Sequence, residues 1–234
     1  MTKPHPEHGW LARLAGRFIA FEGPDGSGKS TQLKRLVAAC QGAGVKVCEV
    51  REPGGTHVGE RIRDILLDKA SEGMVLRCEM LLYMASRAQL VEARILPALQ
   101  AGELVIADRF LASTYAYQGA AGGLPREEIL AVAGVAVGQC LPELNLIFDV
   151  DEQTAAKRAG IVASGKGAKN HEGVSSLFAD RMEDRTREFR RKVREGYVEL
   201  ARLDPARYAL IDARGGPEEV WGRTMQALRE RFES

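Results

Sequence analysis

Gly23-Pro24-Asp25-Gly26-Ser27-Gly28-Lys29-Ser30 fits the pattern G-x-x-x-x-G-K-[ST], and both of its flanks are the ones that pattern needs. Before it runs Phe18-Ile19-Ala20-Phe21, a short apolar run that reads as a strand. After it come Leu33, Leu36, Val37 and Cys40 at the i, i+3, i+4, i+7 spacing of a helix with one buried face. A strand, a glycine-rich turn and a helix in that order build a phosphate-binding loop. The glycines let successive backbone N–H groups point inward, and the helix N-terminus adds partial positive charge. Lys29 can bridge the β- and γ-phosphates of a nucleotide, and Ser30 can ligate Mg²⁺.

Working outward, the chain alternates. Gly42 and Gly44 end the first helix, and Val45 to Val50 reads as a second strand. The turn-rich Glu52-Pro53-Gly54-Gly55-Thr56 leads into a short helix with Ile62, Ile65 and Leu66 on one face. A longer helix is expected from about Glu79 to Leu96, ended by Pro97. Leu104-Val105-Ile106-Ala107, Leu146-Ile147-Phe148 with Val150, and Tyr208 to Ile211 are further buried strands. Helices near 127 to 138, 152 to 159, 180 to 202 and 217 to 232 separate or follow them. Five strands alternating with helices imply an α/β fold with a five-stranded parallel sheet covered on both faces. Residues 160–179 break the rhythm with four glycines and read as a flexible lid. Residues 1–16 read as a loosely docked extension ahead of a single domain at 17–234.

Composition narrows the function. In 234 residues, 33 Lys and Arg against 32 Asp and Glu leave a net charge of +1, so no global field draws the chain to nucleic acid or an anionic membrane. Phosphate chemistry must come from local placement. Cys40, Cys48, Cys78 and Cys140 have no C-x-x-C pairing and read as core residues. His5, His8, His57 and His171 are scattered away from other metal ligands, which argues against a transition-metal site. With neither a secretory signal nor a membrane span in the pattern, the expected compartment is the cytoplasm.

Asp108 stands at the carboxyl end of a buried strand, where open α/β sheets bind ligands, with Arg109 next to it. The pair offers a carboxylate for a metal or a ribose and a guanidinium for a second phosphate. Asp25 would repel a polyphosphate unless it serves a metal or a hydroxyl, so it points to a second ligand beside the loop.

These stretches, together with Arg51-Glu52-Pro53-Gly54-Gly55-Thr56, Arg87-Ala88-Gln89 and Ser113-Thr114-Tyr115-Ala116-Tyr117-Gln118-Gly119, resemble bacterial thymidylate kinase, a P-loop family of nucleoside monophosphate kinases, over about residues 17 to 232. The resemblance implies a three-layer α/β/α P-loop NTPase fold and a cytoplasmic homodimer that moves the ATP γ-phosphoryl group to dTMP with Mg²⁺. It implies that Gly23, Pro24, Asp25, Gly26, Ser27, Gly28, Lys29, Ser30 and Thr31 hold ATP, with Arg158 near its base and Ser30 and Asp108 toward the metal. Arg51 and Arg109 would contact the acceptor phosphate, and Asp25 would face the deoxyribose 3′-hydroxyl. Tyr83 would stack on thymine beside Arg87, in a place where the family usually has Phe. Ser113 and Thr114 would read the base edge, with Gln118 part of the same substrate segment, and Tyr117 would crowd a ribose 2′-hydroxyl. Asp180-Arg181-Met182-Glu183 matches a segment that brings Glu183 to the acceptor sugar and Arg181 to the phosphates. Lys29, Arg109, Asp25 and Arg181 are then the residues of the chemistry.

Two departures stand out. Gly122 occupies the place of an expected arginine, and the lid offers only Lys166, Lys169 and His171 where an arginine is usual, which leaves Arg181 to substitute. Two rival readings follow from these: a kinase for another deoxynucleoside monophosphate, and a nucleotide-binding relative with weak catalysis.

Overall fold

The computed structural model describes residues 6–158 and 187–233. Its apolar runs form five strands: β1 (Phe18–Glu22), β2 (Val47–Arg51), β3 (Leu104–Asp108), β4 (Leu144–Asp149) and β5 (Tyr208–Asp212). All pair in parallel, in the order β2-β3-β1-β4-β5. The helices are α1 (Lys29–Gly42), α2 (His57–Leu67), α3 (Leu76–Leu90), α4 (Leu96–Gln100), α5 (Leu111–Thr114), α6 (Arg126–Val137), α7 (Glu152–Arg158), α8 (Arg187–Leu203) and α9 (Pro217–Phe232).

Every residue of β1 is buried, so its alternating side chains feed two cores. Ile19 and Phe21 join Leu33 and Leu36 of α1 and Leu228 and Phe232 of α9 on one face. Phe18 and Ala20 join Met80 and Met84 of α3 and Ile129 and Ala133 of α6 on the other. The three-layer expectation therefore holds. Pairing of Phe21 with Asp108, and of Arg51 with Asp108, lines up the carboxyl ends of β1, β2 and β3. With β1 flanked by β3 and β4, the chain leaves that edge at the kind of strand-order reversal where such sheets bind ligands.

Several local expectations change. Pro97 does not end the long helix: a π segment, Val91–Ile95, joins α3 to α4, and Pro97 sits in the first turn of α4. The wider turn shifts the hydrogen-bond register where the missing proline N–H would otherwise leave a gap. Residues 111–121, given no element from the sequence, are helical throughout, as α5 and a second π segment, Tyr115–Ala121. Cys40, Cys48 and Cys140 are buried, but Cys78 is exposed.

The stretch before β1 is not loosely docked over the residues described. Pro6–Leu14 is a 3₁₀ helix whose Trp10, Leu11 and Leu14 enter the α1/α9 core. Arg229 covers the Trp10 ring at 5.6 Å, and Arg13 donates to the Glu233 carbonyl. Beside Ala12, residues 6–14 offer only Trp10, Leu11 and Leu14 as apolar side chains, too few for a periodic signal, yet these three pack into the core with α1 and α9. The expected lid at 160–179, with Lys166, Lys169 and His171, and the segment after it with Arg181 and Glu183 lie outside the described residues. Leu11→Ala is expected to lower the unfolding free energy by about 3 kcal/mol, the usual cost of such a cavity. Urea denaturation checks this, and a change within about 0.5 kcal/mol would return the segment to a loose tail.

Candidate active site

The phosphate loop follows from β1 and α1. Gly28 holds φ +90°, and a side chain on Gly26 would run into the Ala155 carbonyl of α7, so both positions require glycine. No acidic residue sits in the first turn of α1, which leaves its positive end to a ligand. Ser30 and Thr31 are exposed there, while the Ser27 hydroxyl is buried with no partner. Lys29 is only 6% exposed, with its Nζ 4.0 Å from Asp25. Burial and the Arg109 charge press its pKa down, and Asp108, Asp25 and Glu22 pull the other way.

Arg109, 4% exposed and at φ +71°, is the centre of the next layer. Its Nη2 donates to Asp25 at 2.9 Å, and its Nη1 donates to Ser113 Oγ at 3.2 Å and to the Tyr197 hydroxyl at 3.1 Å. The guanidinium lies 5.3 Å from the Tyr117 ring centroid. Desolvation works to raise the Asp25 carboxyl, but Arg109 and Lys29 prevail and hold it below the usual carboxylate range. Below this layer Glu22, fully buried, accepts from the Phe110 N–H (2.7 Å), Ser113 Oγ (2.6 Å) and the Tyr197 hydroxyl (3.2 Å). Burial raises its pKa, against Ser113, Arg109 and the Phe110 N–H.

Beside Arg109 opens a pocket lined by Glu52, Tyr83, Arg87, Phe110, Ser113, Thr114, Tyr117 and Gln118. Tyr83 and Arg87, four apart on α3, share its wall as helical spacing requires. Arg87 is 1% exposed and spends its N–H groups on the protein. They go to Glu52 Oε2 (2.7 and 2.6 Å), Thr114 Oγ1 (3.2 Å), the Phe110 carbonyl (3.2 Å) and Met84 Sδ (3.1 Å). Burial pushes the Glu52 carboxyl up to about 7, with Arg87 opposing, and its Oε1 has no partner. The whole assembly is one phosphate loop joined by Arg109 to a narrow pocket with a ring on one wall and polar groups on the other.

A sequence profile described as thymidylate kinase matches residues 21–222. The chain belongs to the thymidylate kinase family. It is 44% identical over 208 residues to the thymidylate kinase of Caldanaerobacter subterraneus subsp. tengcongensis, covering 88% of this chain and 90% of that one. With the thymidylate kinase of Solidesulfovibrio magneticus it shares 42% over 209 residues, 88% of this chain and 97% of the other. The crystal structure of thymidylate kinase from Ehrlichia chaffeensis superposes with a TM-score of 0.68 at 28% identity, over 91% of this chain and 98% of that chain.

Within this member of the thymidylate kinase family, the structure brings Tyr83, Arg87, Arg109, Ser113, Thr114, Tyr117 and Gln118 to one pocket, and Asp25 pairs with Arg109 of that pocket at 2.9 Å and with Lys29 at 4.0 Å. Asp108 is half-buried at the end of β3. Arg51 instead pairs with Glu60, both oxygens at 2.9 Å, and does not line the pocket. Arg158 donates to the carbonyls of Ala213, Arg214 and Gly215 at 2.7 to 3.0 Å, tying α7 to the loop after β5. The Gly122 backbone lies against Gln118 and Leu76, where a Cβ would meet them at 2.7 Å, so a larger residue would force a shift there.

Sequence reasoning missed Glu22, Glu52, Glu79 and Tyr197. A signal existed for Glu79, which lies four residues before Tyr83 and eight before Arg87 on one helix stripe, and for Glu22, which ends a strand buried on both faces. The folded pKa of Glu52, about 7, lies above its ordinary 4.5. Its contribution to stability is therefore full below about pH 4.5 and is lost as pH rises through about 7. Urea denaturation of wild type and Glu52→Gln at pH 5 and pH 8 is expected to show an extra wild-type loss on the order of 3 kcal/mol. Equal pH slopes would contradict the burial of this carboxyl.

Proposed function

We propose that this chain transfers the γ-phosphoryl group of ATP to dTMP, giving ADP and dTDP. The observation that supports the reading is the Arg109 to Asp25 contact at 2.9 Å, which links the pocket that Arg109 lines to the phosphate loop. In the reaction, an acceptor phosphate oxygen forms a bond to the γ-phosphorus while the bond to the β,γ-bridging oxygen breaks and ADP departs. Backbone N–H groups of the loop and Lys29 hold the donor phosphates. Arg109 holds the acceptor phosphate, with Arg51 joining once its pairing to Glu60 is exchanged. Asp25 faces the sugar hydroxyl, Tyr83 stacks on the base and Tyr117 limits space beside the sugar. Arg158 borders the ATP base, and Arg181 and Glu183 extend the phosphate and sugar contacts.

Among the described residues no three His, Cys, Asp or Glu side chains form a metal cluster. Mg²⁺ takes one or two protein oxygens and completes its shell with phosphate and water. Ser30, exposed at the start of α1, and Asp108 are the residues that would hold it. When bound, Mg²⁺ neutralises charge on the transferring group.

Exposed Val58 and Ile65 on α2, Leu81 on α3, and Leu130 and Val135 on α6 support pairing of two copies through those helices. A cytoplasmic setting agrees with the near-zero net charge and with the absence, among the described residues, of a helix long and apolar enough to cross a membrane.

A coupled ADP-release assay with ATP, Mg²⁺ and a panel of nucleoside monophosphates tests the reading. Preferential turnover of dTMP is expected, and Lys29→Met is expected to lose about 10³-fold or more with its fold intact. Near-wild-type turnover by Lys29→Met would overturn the mechanism. Preference for another acceptor, or nucleotide binding without turnover, would favour one of the two rival functions.

A further inference from the structure

Glu79 is 1% exposed on α3 and accepts a hydrogen bond at 2.8 Å from Nε2 of Gln118. Because the bond runs from the amide to the carboxyl, it fixes which end of the Gln118 amide faces Glu79: the NH₂ points to Glu79 and the carbonyl oxygen points the other way. Gln118 lines the base pocket and is itself 2% exposed, so this choice of end settles what the pocket offers there. The oxygen it presents can only accept.

Thr114 is fixed by the same logic. Its Oγ1 accepts from Arg87 at 3.2 Å, which leaves its own O–H to donate in the pocket that Thr114 and Gln118 both line. Ser113 has its proton committed to Glu22 at 2.6 Å, and its place in the base-reading pair expected from the sequence passes to Gln118. An acceptor beside a donor matches a base edge with a ring N–H beside a carbonyl, as in thymine. A cytosine edge carries a bare ring nitrogen beside an amino group and would set acceptor against acceptor and donor against donor.

We propose that Glu79 is a specificity-determining positioning residue, which selects thymine over cytosine by locking the hydrogen-bonding polarity of Gln118. The inference rests on the dTMP reading above and goes beyond it, because Glu79 does not line the pocket and acts through a neighbour. A buried carboxylate is a costly way to hold an amide, since a neutral partner could satisfy Gln118 in either orientation.

The test compares wild type and Glu79→Gln in steady-state kinetics on dTMP and dCMP, with thermal melting of both. The ratio of kcat/KM for dTMP over dCMP is expected to fall about tenfold or more in the variant. The loss should lie mainly in the KM for dTMP, and melting should stay within a few degrees of wild type. A purely structural role would lower kcat/KM for both acceptors equally and leave the ratio in place, which would overturn the inference. A second measurement needs no variant. Titration of wild type with dTMP methylated at N3 is expected to bind about tenfold or more weakly than dTMP, and equal binding would overturn the acceptor assignment. A wild type that turns over dCMP as readily as dTMP would overturn the functional reading beneath the inference. A wild type that prefers dTMP with an unchanged ratio in Glu79→Gln would overturn the inference alone.

Discussion

Charge buried at the carboxyl ends of β1 and β3 is the constraint on which the site depends. Glu22, Lys29, Glu52, Glu79, Arg87 and Arg109 are all buried, and a charged or polar group removed from water must find replacement partners in the protein. Those partners come from far along the chain. Arg109 takes Asp25 from the phosphate loop and Tyr197 from α8, and Arg87 takes Glu52 from the end of β2 and Thr114 from α5. Strand register brings these segments to one edge, so fold and site share one set of contacts. Protein contacts alone hold these side chains in place, and such preorganisation reduces the reorganisation left to a reaction.

This network also divides the labour among the arginines. Arg87 is saturated by protein acceptors and works by fixing Thr114 and bracing the pocket. Arg109 spans loop and pocket, held from behind by Ser113 and Tyr197 on the Glu22 carboxylate. Arg51, half-exposed and paired with Glu60, has a partner it can exchange. Depth of burial thus separates the arginines locked into the site from Arg51 at its more exposed margin.

The sequence made the strands, the phosphate loop and the parallel topology legible because each rests on local periodicity or on glycines with a defined task. It also placed Tyr83 with Arg87, since a helix repeats every three to four residues. It hid the acidic half of the network. Glu22, Glu52 and Glu79 carry a side chain that is ordinarily solvated; position on a buried strand or helix stripe hinted at Glu22 and Glu79, but the pairing with Phe110, Arg87 and Gln118 is what accounts for the burial of each. Pro97 misled for a related reason, because a π segment can absorb a proline that helix rules treat as a stop. Trp10, Leu11 and Leu14 were overlooked because the surface they cover is assembled from α1 and α9, far away in sequence.

The claim that Arg109 joins the donor loop to the acceptor phosphate is tested most directly by calorimetric titration of wild type and Arg109→Met with dTMP and with thymidine, which lacks the phosphate. The account predicts that the variant loses at least about thirtyfold in dTMP affinity, the usual cost of removing a buried charge partner, while thymidine binds both proteins alike. Unchanged dTMP affinity, or an equal loss for dTMP and thymidine, would contradict it.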